Sequence, residues 1–114
     1  MANTKIEMKE TEFLNVLADF SFPENRIVVN PNDGLDLGLM MTETVAELIY
    51  GENPSTYEHG SGYTLHGIVE QKNECRIGTV ELSLRAVDRM GKPRRVRLHL
   101  IPQDGYPKLL LAAE

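Results

Sequence analysis

Hydrophobic positions change their spacing part-way along the chain. Over residues 7 to 20, Met8, Phe13, Val16, Leu17 and Phe20 recur at mostly helical intervals. Glu7, Glu10 and Glu12 cluster near the start, where a helix dipole favours anions. This spacing predicts an amphipathic helix that stops by Ser21, because Pro23 disfavours helical geometry at Phe22. Arg26 to Val29 is a short β-branched run that predicts a strand, closed by the turn residues of Asn30-Pro31-Asn32-Asp33-Gly34. Leu35, Leu37 and Leu39 then alternate with Asp36 and Gly38 as an edge strand or an irregular lead-in. Thr42 is placed as the N-cap of a second short helix over 43 to 50, with Gly51 as its terminal glycine. Residues 51 to 62 are rich in Gly, Pro, Ser and Asn and predict a long loop.

From Tyr63 onward the character is that of a sheet. The segments TLHGIVEQ, RIGTVELSLRAV, RRVRLHLI and KLLLA are separated by turn-forming residues, and four consecutive antiparallel strands are the simplest account. Val80, Leu82, Leu84 and Ala86 alternate with Glu81, Ser83 and Arg85, and Val96, Leu98 and Leu100 with Arg95, Arg97 and His99. A helix competes over 80 to 90, where Val80, Leu84, Val87 and Met90 fall near helical spacing between a capping Thr79 and Gly91. The expected fold is α+β: a C-terminal antiparallel sheet of about four strands packed by two short N-terminal helices. No repeat or linker is apparent, so residues 1 to 114 are read as one domain.

Composition narrows the class. With 41% hydrophobic and 25% charged residues, the 114-residue chain resembles ordinary folded domains and not disordered ones. Tryptophan is absent and aromatics are 6%, which leaves the core to aliphatic residues and favours burial of further surface in a homodimer. The single cysteine, Cys75, excludes an internal disulfide; with no apolar run of membrane-spanning length and no signal-like start, a cytoplasmic protein without membrane contact is expected.

Charge is divided along the chain. Residues 1 to 71 hold 3 basic and 12 acidic residues, a balance of -9, and residues 72 to 114 hold 9 basic and 5 acidic, a balance of +4, which together give the net -5. If the second half forms a hairpin around residues 90 to 92, Arg85, Arg95, Arg97 and His99 share one strand face, with Arg89, Lys92 and Arg94 at the tip. Facing like charges are unfavourable. Either acids of this chain (Glu7, Glu10, Glu12, Glu43 or Glu47) or an external anion must relieve them. These seven residues are the candidate partner-binding set.

Other chemistry is sparse. His59, His66, His99 and Cys75 fit no zinc-ligand spacing, Gly60-Ser61-Gly62 lacks the nucleophile-elbow pattern, and a hairpin placing Cys75 near Glu70 and His66 near Thr79 separates thiol from base. Asn32 to Asp36 has a calcium-loop flavour, but leucines occupy the ligand positions. Tyr57, Glu58, His59, Ser61 and Tyr63 could form a recognition loop, and Met40 and Met41, with Leu37 and Leu39, are assigned to the core with a dimer seam as second choice. The first functional expectation is a non-catalytic protein-interaction or regulatory module that binds a protein partner through the charge-divided surface, with no cofactor and no metal. The second is nucleic-acid binding along the 85 to 99 ribbon. The third is a small-molecule enzyme with a pocket where Glu70, His66 and Tyr63 converge.

Overall fold

A computed structural model, describing residues 8–58 and 63–114, shows seven strands closed into a barrel with two short helices. The elements are β1 (Lys9–Asp19), β2 (Arg26–Val29), α1 (Pro31–Asp36), β3 (Glu43–Tyr50), β4 (Tyr63–Gln71), β5 (Thr79–Ser83), α2 (Leu84–Arg89), β6 (Arg95–Ile101) and β7 (Lys108–Ala113). Around the barrel the order is β1-β5-β2-β4-β3-β7-β6, and β6 returns to β1. The expected α+β arrangement is therefore incorrect. Strands from the two halves interleave, and the pairs β1/β5, β2/β4 and β3/β7 are parallel. The four C-terminal strands do not form a meander, for β4, β5 and β6 each pair with strands of the first half.

Both N-terminal helices are strands, for separate reasons. In β1 a bulge between Glu10 and Phe13 shifts the register against β6. The inward set is Thr11, Leu14 and Val16, whereas Met8, Leu17 and Phe20 of the helical reading are exposed, so that spacing joined residues that share no buried face. Thr11 sits buried at the bulge, where its hydroxyl accepts from Leu98 N at 3.1 Å and donates to Glu12 O at 2.6 Å. In β3, Ala46, Leu48 and Tyr50 point inward while Ile49 packs outside against Ile101, Leu110 and Tyr57. Apolar residues on both faces erase the alternation, and the β-branched and aromatic content of Thr44, Val45, Ile49 and Tyr50 decides for strand.

The expected strands at Arg26–Val29, Tyr63–Gln71, Arg95–Ile101 and Lys108–Ala113 are present. The competing readings of 80 to 90 each hold for part of the segment: β5 ends at Ser83, whose side chain caps α2 by accepting from Ala86 N at 3.0 Å. Residues 35 to 41 are not an edge strand, because α1 starts at Pro31 under an Asn30 cap and Gly38 turns the chain at φ 73°.

This topology contains an internal repeat that identity of residues does not reveal. Val16 and Val69, Ile27 and Val80, the caps Asn30 and Ser83, and the positive-φ Gly38 and Gly91 are each 53 positions apart. Their pairings match: Val16 lies beside Val80 as Val69 lies beside Ile27. A pseudo-twofold thus exchanges β1-β2-α1-β3 with β4-β5-α2-β6 across the antiparallel β2/β5 contact. Because β2 and β5 run oppositely, α1 and α2 close opposite ends of the barrel.

Inside lie Leu14, Ile27, Val29, Leu48, Val69, Val80, Leu82, Val96, Leu98, Leu109 and Leu111, all fully buried. Each contributes about 1.5–3 kcal/mol by leaving water. Gly67 marks the tightest approach to backbone. A Cβ there would stand 2.3 Å from the Asn25 carbonyl oxygen, which also accepts from Ile68 N at 2.9 Å. At Gly34 the clash would be with the Gln71 side chain, which can swing away. Gly67→Ala is expected to destabilise by roughly 2–4 kcal/mol and Gly34→Ala by less; urea melts of the two variants check the order.

Candidate partner-binding site

Closure of the barrel scatters the basic row. Arg85 and Arg89 lie on α2, Lys92 and Arg94 in the connection after it, and only Arg95, Arg97 and His99 on β6. No Arg85–Arg97 pair exists, because β5 pairs with β1 and β2 instead of β6. The β6 residues meet acids and an aromatic ring of their own chain. Arg95 Nε donates to Glu114 Oε1 at 2.7 Å, Arg97 Nη1 lies 3.9 Å from Glu10, and both guanidinium groups sit over the Phe13 ring. His99 is buried with Nδ1 3.1 Å from Glu10 Oε1, in a geometry that leaves Nδ1, like Arg97 Nε, without a proper hydrogen bond. Burial holds its pKa below the usual imidazole value, against the opposing pull of Glu10.

The first-half acids therefore zip onto second-half bases. Among the described residues, five of the seven close charge contacts cross between the halves: Glu24 to Arg85 and Arg89, Glu10 to Arg97 and His99, and Glu47 to Lys108. Arg26–Glu70 and Arg95–Glu114 stay within a half. Of the acids expected to lie across the basic face, Glu10 does so, from a strand and not from a helix.

The residues that gather at one place are those of the α2 end. Glu24, in the β1–β2 loop, takes Arg89 Nε at 3.1 Å and Arg85 Nη1 at 3.4 Å, and is hydrogen-bonded to Tyr63. The Arg89 guanidinium stacks 4.1 Å above the Tyr63 ring, which in turn stacks on Tyr50. Tyr50 donates to the Glu24 carbonyl at 2.6 Å, and burial, reinforced by Glu24, raises its phenol pKa further. This network fixes two arginines that would otherwise sweep solvent.

Beside them Phe20 is 88% exposed. A local turn holds it out: Asp19 Oδ1 accepts from both Ser21 N at 2.8 Å and Ser21 Oγ at 2.6 Å, while Phe22 N bonds to Asp19 O. Those Ser21 bonds depress the Asp19 carboxyl pKa. Phe20, Leu84, Arg85 and Asp88 line a shallow groove of about 240 Å³. Sequence spacing had turned Phe20 inward on a helix; the Asp-x-Ser turn around it was the available signal. Glu24 and Tyr63 carried no signal beyond their residue types.

The remaining candidates lie apart. Cys75 is buried against Val28 O and Thr79 O, and burial, with Glu81 nearby, pushes its thiol up to about 12, far from a reactive thiolate. The expected neighbours of Cys75 and His66 are not observed, for His66 faces Glu47 across β3/β4 and meets Tyr106 edge-on. Glu70, His66 and Tyr63 do not converge, since Glu70 is taken by Arg26 and Tyr63 by Arg89. Asp33 is no cation ligand; it sits buried in α1, accepting from Gly78 N at 2.8 Å. Tyr57 covers Ile49 and Leu110 and, with Glu58, Glu47 and Lys108, lines a polar pocket; His59 and Ser61 of the expected recognition loop, the Gly60-Ser61-Gly62 stretch and Glu7 lie outside the described residues. Leu37 is core and Leu39 packs against it, but Met40 and Met41 project into solvent, correcting their assignment to the core. No family model, curated protein or solved structure matches the chain.

Burial raises the Glu24 pKa, but the Tyr63 hydrogen bond and the two arginines outweigh it and leave the carboxyl below its usual 4.5. A depressed folded-state pKa contributes stability that is present above the unfolded value and lost as pH falls through the folded one. Glu24→Gln is therefore expected to be less stable than the natural chain at pH 7, and the difference should vanish on acidification through that range. Urea melts between pH 7 and pH 2.5 check both the sign and the window.

Proposed function

We propose that this protein is a non-catalytic interaction module whose α2 end receives an acidic protein segment carrying an apolar anchor. The observation that carries the reading is Phe20, an aromatic side chain held almost wholly in water by a local turn, in a groove it shares with Leu84, Arg85 and Asp88 beside the Arg85–Glu24–Arg89 cluster. Apolar side chains left exposed beside cations are typical anchors of interfaces, where aromatic and Arg residues supply most of the energy. Glu24 reduces the entropic cost of using Arg85 and Arg89 by holding them in place before a partner arrives. Lys92 and Arg94, both exposed in the following connection, extend the cationic rim. Arg95, Arg97 and His99 lie on β6, where Glu114 and Glu10 engage them, and none of them lines the groove at Phe20, so they are left out of this binding set.

A polyanion would meet the same cations, but the overall charge of -5 opposes its long-range attraction and the ribbon along which phosphates could run is not formed. Selection of peptides from a random display library on the immobilised protein tests the proposal. Enriched sequences should pair Asp or Glu with Phe, Leu or Met, and Phe20→Asp should weaken binding at least ~10-fold. Failure to enrich acidic peptides, or tighter retention of single-stranded DNA or RNA at low salt, would contradict it.

A further inference from the structure

The internal twofold identifies a second surface at the opposite end of the barrel. Gly38 and Gly91 occupy equivalent positions after α1 and α2, yet the next strands enter in different register. Ala46 faces Gly67 where Val96 faces Leu14, so the equivalent of Ala46 is 50 and not 53 positions on. The connection after α1 is thus three residues longer than its counterpart after α2, and it carries Met40 and Met41. The same supersecondary unit closes without these residues in the other half. They are nevertheless apolar and 94% and 69% exposed, next to a Leu35 that is 72% exposed. Their backbone is not loose: Gln71 Nε2 donates to Met41 O at 2.7 Å and Gln71 N to Thr42 O at 2.9 Å. Leu39 packs against the core, whereas Met40 and Met41 form an anchored projection that no described residue covers.

We propose that this projection is a self-association surface on which two copies of the chain meet about a twofold axis. The two methionines themselves line a groove of about 370 Å³, together with Pro31, Leu35, Leu39, Thr42, Gln71 and Asn73. Projection and groove are one patch, so the methionines of each copy can pack along the groove of the other, as an isologous contact requires. No lining residue is charged, in a chain where a quarter of residues are. Two identical patches therefore meet across a neutral lining, with the exposed Asp36, Glu43 and Glu74 flanking it in sequence. Methionine side chains adapt to such a seam. Eight lining residues fall short of the roughly 20–30 per side of a standard interface, so association is weak, in the micromolar range or above.

Sedimentation equilibrium of the full chain from about 10 µM to 1 mM tests this. The natural chain should rise from the monomer mass of 12.8 kDa toward twice that value, with little change between low and high salt. The double variant Met40→Asp, Met41→Asp should remain monomeric with an unchanged melting temperature, since both side chains are solvent-exposed. A natural chain that stays monomeric throughout overturns the proposal, and so does a dimer that survives in the double variant. Phe20→Asp should leave the mass profile unaltered, which separates this surface from the one at the α2 end.

Discussion

The antiparallel contact of β2 with β5, which sets Val28 against Glu81 and Val29 against Val80, is the constraint on which the rest of the molecule turns. Two short strands from distant parts of the chain must meet at the barrel's centre, and each then takes a parallel neighbour from the opposite half. Once that is satisfied, α1 and α2 have no choice but to cap opposite ends, and closure of β6 onto β1 leaves no strand edge open for pairing with another chain. Five of the seven pairings join strands that are not consecutive in the chain, so slow folding is the kinetic counterpart of this architecture.

The same interleaving gives the charge division its meaning. A separation of acidic and basic residues along a chain suggests a surface with two poles, but here every strand of the basic half borders a strand of the acidic half. Glu10, Glu24 and Glu47 are thereby delivered to Arg97, Arg85, Arg89 and Lys108. Exposed pairs of this kind contribute about 0–1 kcal/mol each, so their role is less to stabilise than to disfavour misregistered pairings that would set like charges together. What these pairs leave in solvent is a small remainder: the arginines that Glu24 holds without burying, and the apolar side chains of Phe20, Met40 and Met41.

Legibility followed local chemistry. Segments with one wet and one dry face, such as Arg95 to Ile101, were readable as strands from period two alone. Ser83 and Asn30 are recognisable caps, yet a strand that runs straight into a helix defeats any single-period reading, as residues 80 to 90 demonstrate. In β1 the helical spacing was carried by Met8, Leu17 and Phe20, which are exposed, and in β3 burial of Ile49 on the outer face hid the alternation. Pairing partners were beyond reach, because β-sheet neighbours are set by tertiary contacts that leave no mark on local spacing. Arg85 and Arg89 stood out by residue type but were placed on a hairpin and not on α2, Glu24 and Tyr63 did not stand out as their partners, and Phe20 and Met40 were turned inward on the assumption that large apolar residues belong to the core. The duplication escaped notice because its halves share geometry at caps, glycines and core positions, with little identity between them.

Interleaving itself is open to direct measurement by nuclear Overhauser contacts in the isotopically labelled protein. Backbone protons of β5 should show contacts to β1 in parallel register, Asn15 with Thr79 and Leu17 with Glu81, and to β2 in antiparallel register, Val29 with Val80. Contacts joining residues 80 to 87 with 94 to 101 as a continuous antiparallel hairpin, without any to β1 or β2, would contradict the account.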